Sequence, residues 1–114
     1  MNFAVIDIET TGLSPKSEKI TGIAIYIHDG KEVIDHYSTL INPECSIPYE
    51  ISMLTGIRNE MVLGAPKFYE VAKKIEEVTQ NCIFVAHNVN FDYGFVQAEF
   101  KSLIRLFGTF LKAI

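Results

Sequence analysis

The sequence predicts an α/β fold built on a mixed sheet, with most of its strands in the first third of the chain and its helices after them. Three observations carry that prediction. The opening stretch Phe3-Ala4-Val5-Ile6-Asp7-Ile8-Glu9 is apolar on both faces until two carboxylates interrupt it, the pattern of a strand in the middle of a sheet with helices above and below. The runs from Lys19 to His28 and from Lys31 to Ile41 alternate with period two. Between Pro66 and Gln80 the apolar positions Phe68, Val71, Ala72, Ile75 and Val78 follow helical spacing instead.

Taken in order, the elements follow from local chemistry. Asp29-Gly30 stands between the two alternating runs as a two-residue primed turn, which makes them antiparallel neighbours. Asn42-Pro43 to Ser46 reads as a loop; Ser46 is placed to cap a short helix with Pro48 near its first turn, and Gly56 stops it. Asn59 is placed to cap another short turn before Gly64. After the long amphipathic helix, Cys82 to Ala86 is a short apolar run bounded by polar residues, expected as a buried strand, and Phe91 to Ser102 reads as a helix. No repeat, linker or low-complexity segment interrupts the 114 residues, which are expected to form one domain.

The carboxylates in the first strand need a reason. Side chains alternate along a strand, so Asp7 and Glu9 project to one side while Ile6 and Ile8 take the other. Two ionised carboxylates this close in a poorly solvated place repel, and one takes up a proton unless something positive lies between them. A divalent cation is the usual answer.

Composition sets the limits around that site. A hydrophobic content of 48% with 11% aromatic residues is enough for a core and excludes a disordered chain. Ten Lys plus Arg against fourteen Asp plus Glu give a net charge of −4, which argues against nucleic-acid binding through overall basicity. Apolar runs fall short of the ~20 residues a membrane helix needs, so no membrane partner is expected. Cys45 and Cys82 form no metal-binding pair, and together with the lack of a leader-like N-terminus they are expected to be reduced thiols in a cytoplasm.

A second signature, Phe84-Val85-Ala86-His87-Asn88-Val89-Asn90-Phe91-Asp92, accompanies FAVIDIETTGL. Together they resemble the DnaQ-like, or DEDD, family of 3′-to-5′ exonucleases, which includes the proofreading subunit of bacterial DNA polymerase III. A middle stretch, Ile47 to Ile57, is similar to the segment with which these enzymes line the pocket for the terminal nucleotide. The resemblance implies a ribonuclease H-like fold whose first strand is central, with the hairpin on one side and later strands on the other. It implies metal-dependent hydrolysis of a phosphodiester, with Mg²⁺ or Mn²⁺ held by Asp7, Glu9 and Asp92 as the catalytic carboxylates. It also implies that Thr10, Thr11, Gly12 and Leu13 hold the 3′ end, with Glu50, Thr55 and Phe91 around the same nucleotide.

Each residue has a plainer role beside that one. Asp7 and Glu9 alone could be strand-end charges, and Asp92 is also a first-turn acid, worth about 0.5 kcal/mol against the helix dipole. His87 is either a polar strand-end residue or a substrate contact, and Leu13 and Phe91 are either core or contact residues. His28 and His36 on the hairpin read as structural or solvated.

The sequence also departs from the resemblance. The family's third motif, which supplies a fourth carboxylate and a general base, has no match after Asp92, where the chain has no His and one acid, Glu99. Glu99 lies two helical turns from Asp92, ~10 Å along the axis, too far to share its ion. The tail from Leu103 to Ile114 does not continue the pattern. The chain is therefore expected to be a truncated or frameshifted member with impaired activity. Its expected partners are the single-stranded 3′ end of DNA, with RNA left open, a DNA polymerase subunit, and a second copy pairing at an apolar sheet edge left by Cys82 to Ala86. A domain that binds nucleic acid or a polymerase without cutting is the alternative.

Overall fold

The computed structural model describes residues 1–107. Four strands, β1 (Asn2–Thr10), β2 (Ile20–His28), β3 (Val33–Leu40) and β4 (Cys82–Val85), form a mixed sheet in the order β3-β2-β1-β4. β1 is antiparallel to β2 and parallel to β4, and β2 is antiparallel to β3. This is the ribonuclease H-like arrangement expected, with β1 interior and the hairpin on one side of it.

Alternation along β1 sorts the sheet into two faces. Ala4, Ile6, Ile8 and Thr10 point into the core, and their partners Ile27, Ile25 and Ile23 do the same from β2. Helices α3 (Phe68–Thr79) and α4 (Val89–Phe107) cover that face with Phe68, Val71, Ala72, Ile75, Phe95, Val96, Phe100 and Leu103. Each fully buried aliphatic side chain there contributes about 1.5–3 kcal/mol. The other face differs from the expectation of helices above and below. Val5, Tyr26, Ile83 and Val85 remain half-exposed on it, and Asp7 is exposed. Its covered corner is at Gly22 and Leu40, where α1 (Tyr49–Thr55) and α2 (Asn59–Val62) bring up a second apolar cluster of Ile47, Ile57 and Val62.

Several boundaries depart from the local reading. The hairpin turns through four residues, 29–32, rather than two: the Asp29 carboxylate accepts the Lys31 and Glu32 N–H groups, and Asp29 N–H bonds to Glu32 O, so β3 begins at Val33 and not at Lys31. Ser46 caps nothing; Pro48 precedes α1, and Gly56 closes it in the left-handed region at φ 81°, a conformation glycine adopts without strain. Asn59 is the first residue of α2 rather than its cap, and its side-chain amide grips Ile47 instead, accepting Ile47 N–H at 2.8 Å and donating to Ile47 O at 3.2 Å. The start of α3 is closed by Glu70, whose carboxylate accepts Lys67 N–H at 2.9 Å.

β4 stops at Val85 rather than Ala86, and α4 starts at Val89 rather than Phe91. It also runs on past Ser102, with Leu103 in the core, so the tail begins as ordinary helix. The rest of that tail, residues 108–114, lies outside the described residues. β4 is the edge of the described sheet, and Cys45 and Cys82 are free thiols. No described helix is long and apolar enough to cross a membrane.

Candidate active site

The acidic site forms where β1 outruns β4. The parallel β1–β4 ladder ends with Val5 opposite Val85, so the β1 backbone beyond Val5 has no strand on that side. The chain turns through Ala86, His87 and Asn88 into α4, and Asp92 in its first turn fills the gap, its carboxylate accepting the Ile8 N–H. That bond carries Asp92 to the edge of the strand between Asp7 and Glu9, although Ile8 itself faces the core.

The charges of these carboxylates act on one another. Burial is the main cause that pushes the Glu9 carboxyl above its ordinary range, and the charges of Asp7 and Asp92 push it further. Asp92 is likewise raised, first by burial and then by Asp7, against the lowering effect of the Ile8 N–H and of His87. Asp7 thus acts on both Glu9 and Asp92, and Asp92 acts on Glu9, which makes an under-compensated negative site. Among the described residues no three His, Cys, Asp or Glu side chains stand close enough together to form a ready-made metal cage. The donor set itself, carboxylate oxygens alone, suits a hard divalent ion.

Asp7 and Glu9 open onto a hollow of about 330 Å³ in the exposed sheet face. Its floor and walls come from Gly22 and Ala24 of β2, Ser38 and Leu40 of β3, and Ile57, the end of the middle sequence segment. Small residues opposite the two carboxylates leave this space: Asp7 pairs with Ala24 and Glu9 with Gly22.

The Thr10–Leu13 turn leaves the same strand end. Thr10 Oγ1 donates to Gly12 O at 2.6 Å. Thr11, 1% exposed, donates to Glu18 Oε1 at 2.7 Å and accepts Lys19 N–H at 3.0 Å. A Cβ on Gly12 would stand 2.8 Å from Glu18 Cδ, so a larger residue would displace the carboxylate that Thr11 holds. Leu13 is 82% exposed beside it.

Residues 4–107 match the family model described as Exonuclease. The chain belongs to the exonuclease family. It is 46% identical over 102 residues to the PolC-type DNA polymerase III of Clostridium perfringens and 45% identical over 98 residues to the 3′-5′ exonuclease DinG of Bacillus subtilis. These alignments cover 89% and 85% of this chain but 7% and 10% of those proteins, so the chain spans about a tenth or less of the curated relatives it matches. Among solved structures, exonuclease I from Methylocaldum szegediense superposes with a TM-score of 0.76 at 20% identity, over 90% of this chain and 24% of that one. A zinc-bound exonuclease I–ssDNA complex from E. coli superposes at 0.73 and 19% identity, over 84% of this chain and 22% of that one.

Within this member of the family the remaining residues singled out from the sequence are less concentrated. Leu13 is a surface residue and not core, whereas Phe91 is packed on the core with its ring 4.9 Å from Phe95. Thr55 Oγ1 bonds its own helix, donating to Ile51 O and accepting Ile57 N–H, and thereby sets the path of Ile57 into the hollow. Glu50 is exposed on α1. His87 is exposed near Asp92; His28 Nδ1 accepts Gly30 N–H, and His36 stacks on Tyr26 with centroids 5.8 Å apart.

Sequence reading missed Gly22 and Ala24 as the floor of the hollow. It also gave Glu99 no part, yet Glu99 is 8% exposed and its Oε2 accepts the Ile20 N–H at 3.0 Å, with Lys19 Nζ 4.0 Å from Oε1. The signal was present in the heptad spacing: Asp92 and Glu99 are seven apart and share a helix face with Phe95, Val96 and Leu103.

Proposed function

We propose that this chain is the catalytic framework of a metal-dependent 3′-to-5′ exonuclease, with Asp7, Glu9 and Asp92 holding Mg²⁺ or Mn²⁺. The observation that supports the reading is that Asp92 lies near enough to Asp7 and Glu9, at the open end of β1 beside the turn that starts at Thr10, for its charge and theirs to interact. A bound divalent ion supplies charge neutralisation at the phosphodiester and an activated water. The chain's own groups do the rest. Thr10, Thr11, Gly12 and Leu13 hold the strand's 3′ end, the hollow over Gly22 and Ala24 receives the terminal nucleotide, and Ile57, Thr55, Glu50 and Phe91 shape its surroundings.

DNA is the proposed substrate, supported by the relatives named DNA polymerase III. Proposed partners are a DNA polymerase subunit and a second copy at the β4 edge; light scattering that returns a strict monomer would remove the latter. The domain is proposed to extend over residues 1–114.

Residues 1–114 contain three of the four carboxylates that the resemblance implies and no general base after Asp92. Glu99 does not make up the fourth, because its carboxylate is engaged by Ile20. Hydrolysis by this chain is therefore set at least about 10²-fold below that of a complete site. That commitment of Glu99 favours the second reading, a strand-binding domain that cuts poorly.

The test is a Mn²⁺-supplemented assay on 3′-labelled and 5′-labelled oligonucleotides with Asp7→Ala as control. Slow release of label from the 3′ end, abolished in the variant, is the expected result. Binding without release supports the second reading, and neither binding nor release refutes both.

A further inference from the structure

Asp92 and Glu99 are the two buried acids among the described residues, and both lie on one face of α4. They are tied to two neighbouring strands, β1 and β2, where the end of one meets the start of the other. Asp92 takes the Ile8 N–H of β1, and Glu99 takes the Ile20 N–H at the start of β2. Ile20 pairs with Thr10 at a bulge, where the register shifts and Thr21 is the extra residue.

From Ile20 the connections run straight into the Thr10–Leu13 turn. Lys19 N–H bonds to Thr11 Oγ1, Thr11 N–H bonds to Lys19 O at 2.9 Å, and Glu18 accepts the Thr11 hydroxyl while lying against Gly12. An apolar side chain at position 99 would bury at less cost than a carboxylate, but it could not hold the Ile20 N–H. What the acid adds is a directional bond across 79 residues of sequence.

We propose that Glu99 is a positioning residue that, through the Ile20 amide, locks the Thr10–Leu13 turn to the helix carrying Asp92. The turn and the carboxylates then keep one relative geometry when the 3′ end of a nucleic-acid strand binds. The substrate half of this inference rests on the exonuclease reading above; the tether half rests on the bonds alone.

The experiment compares the chain with its Glu99→Leu, Glu99→Gln and Glu99→Asp variants by amide hydrogen exchange and by affinity for a single-stranded oligonucleotide with a free 3′ end in Mn²⁺. In Glu99→Leu the amides of Thr11, Lys19 and Ile20 are expected to exchange about tenfold or more faster relative to those of α3, and the oligonucleotide to bind about tenfold more weakly. Glu99→Gln, whose amide oxygen still accepts the Ile20 N–H, is expected to stay within about threefold of the parent in both. A purely structural role would lower global stability and leave the exchange of the turn unchanged relative to α3.

That outcome, or a Gln variant as impaired as the Leu variant, overturns the proposal. If Glu99→Leu does not fold, Glu99→Asp, one methylene too short for the bond, takes its place in the comparison. A parent chain with no affinity for the oligonucleotide overturns the exonuclease reading and the substrate half with it, while the exchange rates still decide the tether.

Discussion

Glu9 lies opposite Gly22 across the β1–β2 ladder, so the side chain that would shield the carboxylate from above the neighbouring strand is missing. The backbone does not require glycine there, and a Cβ would meet Ile57 Cδ1 at 3.6 Å and Leu40 Cδ2 at 3.7 Å, ordinary contact distances. Gly22→Ala is therefore expected to fold with stability changed by less than about 1 kcal/mol while narrowing the hollow beside Glu9. Oligonucleotide affinity in Mn²⁺ should fall about tenfold or more; unchanged affinity would show that the hollow is not where the nucleotide sits.

Mutual repulsion makes a second prediction. Asp7 raises the proton affinity of both Glu9 and Asp92. Asp7→Asn removes that charge at nearly constant shape, and the metal-free chain is expected to become more stable by about 0.5–1 kcal/mol. Stabilisation by Mn²⁺ should be lost in the same variant. Thermal unfolding with and without the ion checks both, and a destabilised metal-free variant would contradict the electrostatic account.

The pH dependence has a definite sign. Glu9 and Asp92 have ordinary values of 4.5 and 3.8 and are raised on folding, so the folded chain binds their protons more tightly than the unfolded one. Stability should then fall as pH rises from those ordinary values through the raised ones. Glu99, raised mainly by burial, adds to the same slope. Asp29, held low by the backbone N–H groups of its turn, and Glu60, held low by Arg58, act in the opposite sense, but only near and below their ordinary values of 3.8 and 4.5. In metal-free buffer Tm is expected to be higher at about pH 5 than at about pH 8. Mg²⁺ should raise Tm more at the higher pH, and the slope that survives saturating Mg²⁺ belongs to Glu99. A Tm that rises with pH would reverse the assignment.

Thr11 offers a stability test inside the turn. Thr11→Val keeps the volume but leaves the Lys19 N–H without its acceptor and the Glu18 carboxylate without its donor. The expected cost is about 1–3 kcal/mol in urea unfolding, with 3′-end affinity reduced as well. A loss below about 0.5 kcal/mol would mean that water replaces both bonds and the turn is not rigid.

Much of the fold was legible because its signals are local. Period-two alternation in β2 and β3 and helical spacing in α3 depend on neighbours two to four residues away, and the structure keeps them within a residue or two. The hairpin loop was misjudged for a local reason of its own: the Asp29 carboxylate competes for the Lys31 and Glu32 amides and widens the turn. The cap expected of Asn59 gives way, and the tether of Glu99 lies beyond local reading, for a distant reason, since their partners Ile47 and Ile20 are 12 and 79 residues away.

The amino-acid sequence by itself determined the strand and helix classes, the side of β1 on which Asp7 and Glu9 emerge, and the family, because each depends on residue types at fixed short spacing. Only the tertiary structure decided that β4 ends at Val85 and so admits Asp92 to Ile8, that Gly22 and Ala24 floor the hollow, and that Glu99 ties α4 to β2. Those facts depend on strand register and on where one element stops beside another, and neither is set by any single stretch of chain.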